Sequence, residues 1–382
     1  MSSVKRVLDS KVAEITKLLN EDRVREAKQV MEKAWKLKPV ERPPITVSAP
    51  SPVPWPKYPY VEAFHDKDKM LLSELSKAYV HLLLNDDAMP CVRANYGVGI
   101  IASGYGCEIV VRDDQMPWVK APVLKYERPR LDLLKRPDPW SDGLMKTVLE
   151  TETYFLDMLK DSGIKVYLCD TQGPLDVAYL IRGSKIYRDF IKFPDKVHDL
   201  LQEISETIIE FTKIQKELVG EPYGKGYHGT PNVWMAEGGI RICEDVAVTL
   251  SPKAYREYCK PYNSRCAKPF NGGMYHFCCS DASDGKQIIS EILKDKMAKA
   301  FFFGSPDKYY PLKETLAKFC EAGKCLIWTD GPRRGETPKE WIKRVADAFY
   351  SCGTGLILSI GVSSYKMAVE IMEEYNKVFN RE

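Results

Sequence analysis

The second half of the chain alternates short apolar runs with amphipathic segments, and this alternation constrains the fold more than any other feature. From residue 272 onward, runs such as GGMYHFC, KAFFFG, KCLIWTDG and TGLILSIG recur about every 25 residues, each followed by helical spacing. Strands that alternate with helices form a parallel sheet. We therefore predict an α/β fold, a closed (β/α)8 TIM barrel, with a doubly wound open sheet as the alternative. The dinucleotide-binding G-x-G-x-x-G motif is missing from GVGIIASGYG.

The first 66 residues differ from the rest. Apolar stripes over residues 4–37 predict a hairpin of two helices, which serves either as a dimer contact or as a cap on the main domain. Residues 39–59 contain eight prolines, which predicts an extended segment poor in helix and sheet. We thus divide the chain into an N-terminal helical extension with a proline-rich crossing segment (1–66) and a barrel domain (67–382).

Composition excludes several classes of function. The 382 residues include 56 Lys and Arg against 53 Asp and Glu, a near balance that argues against nucleic-acid binding. No apolar run approaches the ~18 residues of a membrane span. The 11 cysteines are odd in number and scattered, unlike a disulfide scaffold. We expect a reduced, cytoplasmic protein, with a homodimer as one arrangement.

The ends of the predicted strands carry the candidates for chemistry, because barrel enzymes place their catalytic groups there. His276 and Cys278 lie two residues apart, so strand alternation puts both on one face, whereas Cys279 points toward the core. Imidazole nitrogen and thiolate together suit zinc. The alternative is a buried histidine beside a core cysteine. The other strand-end candidates are Asp170, Gln172, His228, Trp234, Glu237 and Asp245. Of these, Glu237 and Asp245 have simpler alternatives, as turn and helix caps.

A family resemblance connects these residues. The stretch GGIRICEDVAVTLSPKAYREYCKPYNSRC, followed by GGMYHFCCS, resembles the uroporphyrinogen decarboxylase superfamily in an acidic pair (Glu244, Asp245), a Ser-Pro helix start and an H-x-C. DTQGPLDVAYLIRG and the C-terminal strand and helix extend the resemblance over most of residues 80–380. The Arg-Gln-Ala-Gly-Arg segment of the true decarboxylases is missing. The H-x-C pair resembles the metal-binding motif of the zinc- and corrinoid-dependent methyltransferase branch.

The resemblance implies a methyltransferase that moves a methyl group from a small methoxylated, aromatic substrate to the Co(I) of a corrinoid protein. Zinc would act as Lewis acid, and the corrinoid (cobalamin) would be carried by the partner protein. Three alternatives stay open: transfer from a methylated corrinoid to a thiol, a metal-free decarboxylase of the same superfamily, and a non-catalytic partner of a corrinoid protein.

The resemblance also assigns roles, with one departure from the family. The zinc branch often supplies a further cysteine after the last strand, where this chain has Val362. Glu237 is our candidate for the third ligand beside His276 and Cys278, and Asp330 is second. Asp245 and Asp170 are the predicted catalytic groups, as proton donors or as residues that orient His276. The predicted substrate-binding residues are Tyr96, Gln172, His228, Trp234 and Arg241.

Overall fold

The computed structural model describes residues 3–113, 115–229, 232–279 and 283–379. Eight parallel strands follow one another in chain order, in the arrangement of the predicted (β/α)8 barrel. They are β1 Ile45–Ser48, β2 Cys91–Val92, β3 Lys165–Val166, β4 Ile240–Cys243, β5 Gly273–Cys278, β6 Ala298–Gly304, β7 Cys325–Trp328 and β8 Leu356–Gly361.

Strand pairing closes the sheet on itself. β4 to β8 pair in sequence order, β8 pairs with β1, and β2 pairs with β3, all in parallel. At the two remaining junctions, loop residues make the connecting hydrogen bonds. The N–H of Asp87 donates to the carbonyl of Ile45 (2.8 Å), and the N–H of Gly173 donates to the carbonyl of Cys243 (2.7 Å). An open sheet would leave its first and last strands unpaired, so the closed-barrel prediction is confirmed.

Fifteen α-helices over the described residues surround the strands or precede them. They are α1 Ser3–Leu18, α2 Glu21–Trp35, α3 Tyr60–His65, α4 Lys67–Leu84, α5 Ile100–Gly104, α6 Gly143–Met158, α7 Pro174–Arg182, α8 Lys185–Lys192, α9 Pro194–Val219, α10 Pro252–Tyr258, α11 Lys260–Ala267, α12 Lys286–Leu293, α13 Leu312–Glu321, α14 Pro338–Cys352 and α15 Tyr365–Phe379. Four 3-10 turns (Leu131–Leu133, Asp245–Thr249, Lys268–Phe270 and Pro306–Lys308) and two hairpins (Ile109–Val110 with Trp118–Val119, and Gly226–His228 with Val233–Met235) complete the elements. None of the helices over these residues has both the length and the apolar content needed to cross a bilayer.

Strand alternation divides the core into two layers. Met274 and Phe302 face the barrel interior, whereas Phe277, Phe301 and Phe303 pack against the surrounding helices. Both faces of these strands are therefore buried, which explains why β6 reads as the nearly continuous apolar run AKAFFFG.

The N-terminal helices cap the barrel, which was one of the two predicted roles. Leu8 and Ile15 of α1 are fully buried, and α1 packs against α4. Met31 of α2 belongs to the interior core, and Trp35 donates its Nε1–H to the carbonyl of Glu237 (2.9 Å), just before β4 begins. α2 thus closes the N-terminal end of the barrel, and a homodimer stays a prediction.

The proline-rich segment contains a barrel strand. β1 lies between Pro44 and Pro50 and pairs with β8, so the prediction that residues 39–59 are poor in sheet was wrong over Ile45–Ser48. Prolines that flank a strand do not remove its ladder hydrogen bonds. The division after residue 66 stays a prediction, although the barrel sheet takes its first strand from before that boundary.

Candidate functional site

His276 and Cys278 lie on the same face at the C-terminal end of β5. The His276 Nε2 atom is 3.3 Å from the Cys278 Sγ atom. The Nδ1–H of His276 donates to the carbonyl of Phe302 (2.9 Å), and its ring stacks on the Phe302 ring with centroids 4.1 Å apart. Because a carbonyl only accepts, this bond fixes the tautomer and leaves the Nε2 lone pair directed toward Cys278.

Two residues from the end of β4 join this pair. Cys243 lies opposite His276 in the register of β4 and β5. Asp245 begins the 3-10 turn after β4; its Oδ1 is 3.8 Å from His276 Nε2 and accepts the N–H of Cys278 (2.7 Å). One ligand atom from each of Cys243, Asp245 and His276 lies within 4.8 Å of the others. The ends of two adjacent strands therefore bring a nitrogen, a sulfur and a carboxylate together, with the Cys278 sulfur beside the nitrogen.

The donor atoms around His276 are of the types that zinc prefers, and two of their spacings suit a zinc ion. Tetrahedral zinc with bonds of about 2.0–2.3 Å separates its ligand atoms by about 3.3–3.8 Å. The distances from His276 Nε2 to Cys278 Sγ (3.3 Å) and to Asp245 Oδ1 (3.8 Å) lie at the two ends of this range. The carbonyl that receives the His276 Nδ1–H is the outer partner that ligating histidines generally have.

The electrostatics of the site keep His276 and the two thiols neutral without a cation. Burial and the positive charge of Arg241 lower the pKa of His276 to about 4. Partial burial of the sulfur and the Asp245 carboxylate raise the pKa of the Cys278 thiol to about 12. Burial raises the pKa of the Cys243 thiol as well. Only a strong positive charge would draw the thiols into their thiolate form, and binding a metal ion would release their protons.

Two buried acidic residues, Glu244 and Asp176, hold the backbone around Asp245 by hydrogen bonds. Glu244 accepts the N–H groups of Leu175 (3.1 Å) and Asp176 (2.9 Å) at the start of α7. Asp176 in turn accepts the N–H groups of Asp245 (2.9 Å) and Val246 (3.0 Å). Burial and the Asp245 charge raise the pKa of Asp176 to about 7. These reciprocal bonds connect the ends of β3 and β4 and fix the backbone of Asp245.

A second polar cluster surrounds Asp170, beyond the end of β3. Its Oδ1 accepts from the backbone N–H (3.2 Å) and the Nε2 (2.7 Å) of Gln172, and its Oδ2 accepts from Arg241 Nη1 (2.9 Å). His228 lines one small cavity with Asp170 and Arg241. Burial raises the pKa of Asp170, but Arg241 and Arg93 outweigh burial and bring it down to about 2. The predicted residues Asp170, Gln172, His228 and Arg241 are thus neighbours, and their roles stay predictions.

Two predicted substrate-binding residues lie elsewhere. The Tyr96 hydroxyl pairs with the Thr151 hydroxyl (2.8 Å), and its ring meets Phe64 edge-on, so the side chain belongs to the outer core. Trp234 lies under Lys28 of α2, whose Nζ is 3.6 Å from the indole centroid. The structure therefore does not bring these two predicted substrate-binding residues to His276.

Glu237 does not complete the ligand set. It precedes β4, its carbonyl is bonded to Trp35 and its side chain is exposed. β4 rises roughly 10 Å from that end to Cys243, since each strand residue advances about 3.3 Å. Glu237 therefore lies at the wrong end of the barrel for His276. Asp330, the second choice, accepts the N–H of Asp307 (2.7 Å) and lines a separate cleft of 960 Å³ with Val362.

Sequence reasoning missed Cys243 as the additional sulfur. The motif RICED carries its signal, since Cys243 ends β4 two residues before Asp245. The proximity of Cys243 to His276 depends on the register between β4 and β5, which the spacing of residues along one strand does not contain.

Comparisons with known proteins agree with this fold. The family described as uroporphyrinogen decarboxylase (URO-D) matches residues 26–219, just over half of the chain. No curated protein matches the chain. Among solved structures, a methyltransferase from Methanosarcina mazei is similar with a TM-score of 0.65 and 17% identity, over 92% of this chain and 99% of that chain. The likeness supports the barrel, and the family match confirms the resemblance found in the sequence.

Proposed function

Because the chain belongs to the uroporphyrinogen decarboxylase family, we propose that it is a methyltransferase that moves a methyl group from a small methoxylated substrate to the Co(I) of a corrinoid protein. One observation carries this proposal: the ligand atoms of Cys243, Asp245 and His276 lie within 4.8 Å of one another at the ends of β4 and β5, and the Cys278 sulfur lies 3.3 Å from the His276 nitrogen. Nitrogen and sulfur donors of this kind suit zinc. A decarboxylase that releases CO2 and protonates the remaining carbon has no need of sulfur ligands there.

His276, Cys278 and Cys243 would hold the metal, and the fourth position would stay open to substrate. When bound, zinc supplies a Lewis acid for the substrate's ether oxygen. With its pKa near 4, His276 is neutral at physiological pH and offers its Nε2 lone pair without losing a proton. The two thiols do have to lose theirs, so we expect metal affinity to increase with pH.

Asp245 and Asp170 take different roles in this proposal. As the methyl carbon bonds to cobalt, the C–O bond breaks and its electron pair remains on the oxygen, which needs a proton. Asp245 lies beside the donor set with its side chain 47% exposed, so we assign its carboxylate the task of relaying a proton from water to that oxygen. A carboxyl with a pKa near 2 is ionised at neutral pH, so Asp170 instead orients Arg241.

A direct assay tests the proposal. The zinc-loaded protein is mixed with a corrinoid protein reduced to Co(I) and with a panel of methoxylated aromatics, and formation of the methylated corrinoid is followed by its absorbance. We expect turnover with at least one compound, loss of turnover in His276→Ala, and retention in Cys279→Ala, the matched control. No turnover across the panel, or full turnover in His276→Ala, would reject the proposal. Decarboxylation of a panel of acids by the metal-free protein would favour the decarboxylase alternative instead.

A further inference from the structure

Two arginines meet at Asp170 inside the barrel mouth. Arg241 reaches its Oδ2 with Nη1 at 2.9 Å, and Nη1 of Arg93, just after β2, lies 4.0 Å from the same oxygen. The Arg241 and Arg93 side chains are only 10% and 13% exposed. Two buried guanidinium groups thus share one carboxylate.

Most of their hydrogen-bond donors have no acceptor. Each guanidinium carries five N–H donors. Among the described residues, Arg241 makes only its bond to Asp170, and Arg93 makes none. The Nε atoms of both arginines are buried without a partner. Buried polar groups are nearly always bonded, so the two unpaired Nε–H groups indicate a missing acceptor.

Neighbouring carboxylates do not fill this place. Oδ1 of Asp170 is already occupied by two bonds from Gln172. Glu74, whose charge also acts on Arg93, is bonded to Lys77 (2.6 Å) and to the side chain of Asn95 (3.1 Å). The acceptor that these donors lack is therefore not supplied by the acids around them.

We infer that Arg93 and Arg241 form an anion site, and that it binds a carboxylate group of the substrate. A planar carboxylate matches the fork of a guanidinium and accepts from two arginines at once. Arg241 lies 5.5 Å from the centroid of the Phe302 ring on which His276 stacks. Arg241 and His276 thus contact the same ring, so an anion held by Arg241 would lie near the donor set of His276, and a methoxylated aromatic acid offers a group for each. This choice of substrate class rests on the proposed function.

Binding without turnover tests the inference. Isothermal titration compares 4-methoxybenzoate with the uncharged 4-methoxybenzamide, using the full-length protein, Arg93→Gln and Arg93→Lys. The matched control is Arg256→Gln, which replaces an arginine with a 52% exposed side chain that pairs with Glu291. We expect the acid to bind at least about tenfold more tightly than the amide, since two guanidiniums are charge-assisted donors.

In Arg93→Gln the preference for the acid should disappear while the affinity for the amide stays, which also shows that the variant is folded. Arg93→Lys should retain part of the preference, and Arg256→Gln all of it. Equal affinity of the wild-type protein for acid and amide, no binding of either, or an undiminished preference in Arg93→Gln would overturn the inference. Selective binding of the acid without any methyl transfer would leave the anion site standing and reject only the proposed function.

Discussion

Replacing Asp170 with asparagine removes the negative charge that holds Arg241 but preserves the shape of the side chain. The pKa of Asp170 is lowered from 3.8 to about 2 in the folded protein, despite burial, because Arg241 and Arg93 stabilise its charged form. At about 1.4 kcal/mol per pKa unit, this difference contributes on the order of 2.5 kcal/mol to the free energy of unfolding at pH 7. We expect Asp170→Asn to lose roughly that amount.

The pH dependence gives this prediction a distinct signature. A carboxyl whose pKa is lower in the folded state stabilises the fold above its unfolded pKa, here 3.8, and loses that contribution as pH falls through about 2. Urea unfolding should therefore separate wild type and Asp170→Asn by about 2.5 kcal/mol at pH 7 and by about half of that at pH 3. Asp132→Asn, which removes an exposed partner of Arg130, should change nothing measurable. A gap that is missing at pH 7, or equally large at pH 3, would refute this account of Asp170.

Three further predictions address other parts of the molecule. Arg182→Met should lower the free energy of unfolding by about 3–5 kcal/mol, because it leaves the buried Asp189 charge without its partner 2.6 Å away; thermal unfolding equal to wild type would contradict this. Glu237→Gln should leave the metal content unchanged in elemental analysis, because the side chain lies at the opposite end of the barrel from His276, and a loss of metal would show otherwise. Deleting residues 1–36 should abolish the cooperative unfolding transition in circular dichroism, because it removes the buried side chains of α1 and α2, at about 1.5–3 kcal/mol each; a stable truncated barrel would count against the capping role.

The fold was predictable where the sequence signal is local and repeated. From β5 onward, each strand is an apolar run of four to seven residues followed by an amphipathic helix, and the barrel follows from that alternation. β1 lies among prolines and carries no usable periodicity, and β2 and β3 are only two residues long. Their positions depend on bonds such as the one between Asp87 and Ile45, which join distant parts of the chain.

The same limit explains the outcome at the candidate site. His276 and Cys278 belong to one strand, so the two-residue period alone placed them together. Cys243 lies near them because the register of the neighbouring strand β4 pairs it with His276. Glu237 lies far from them because it precedes the first residue of β4, whereas Cys243 is the last. The sequence contains these residue types, but which end of the barrel each one occupies depends on strand pairing.

The zinc content of purified variants tests the metal centre most directly. We expect about one zinc per chain in the wild-type protein and in Cys279→Ala, since Cys279 lies outside the donor set, and much less than one in Cys278→Ala and in Cys243→Ala. Full zinc occupancy in both Cys278→Ala and Cys243→Ala, or no zinc in the wild-type protein after growth with added zinc, would contradict the account.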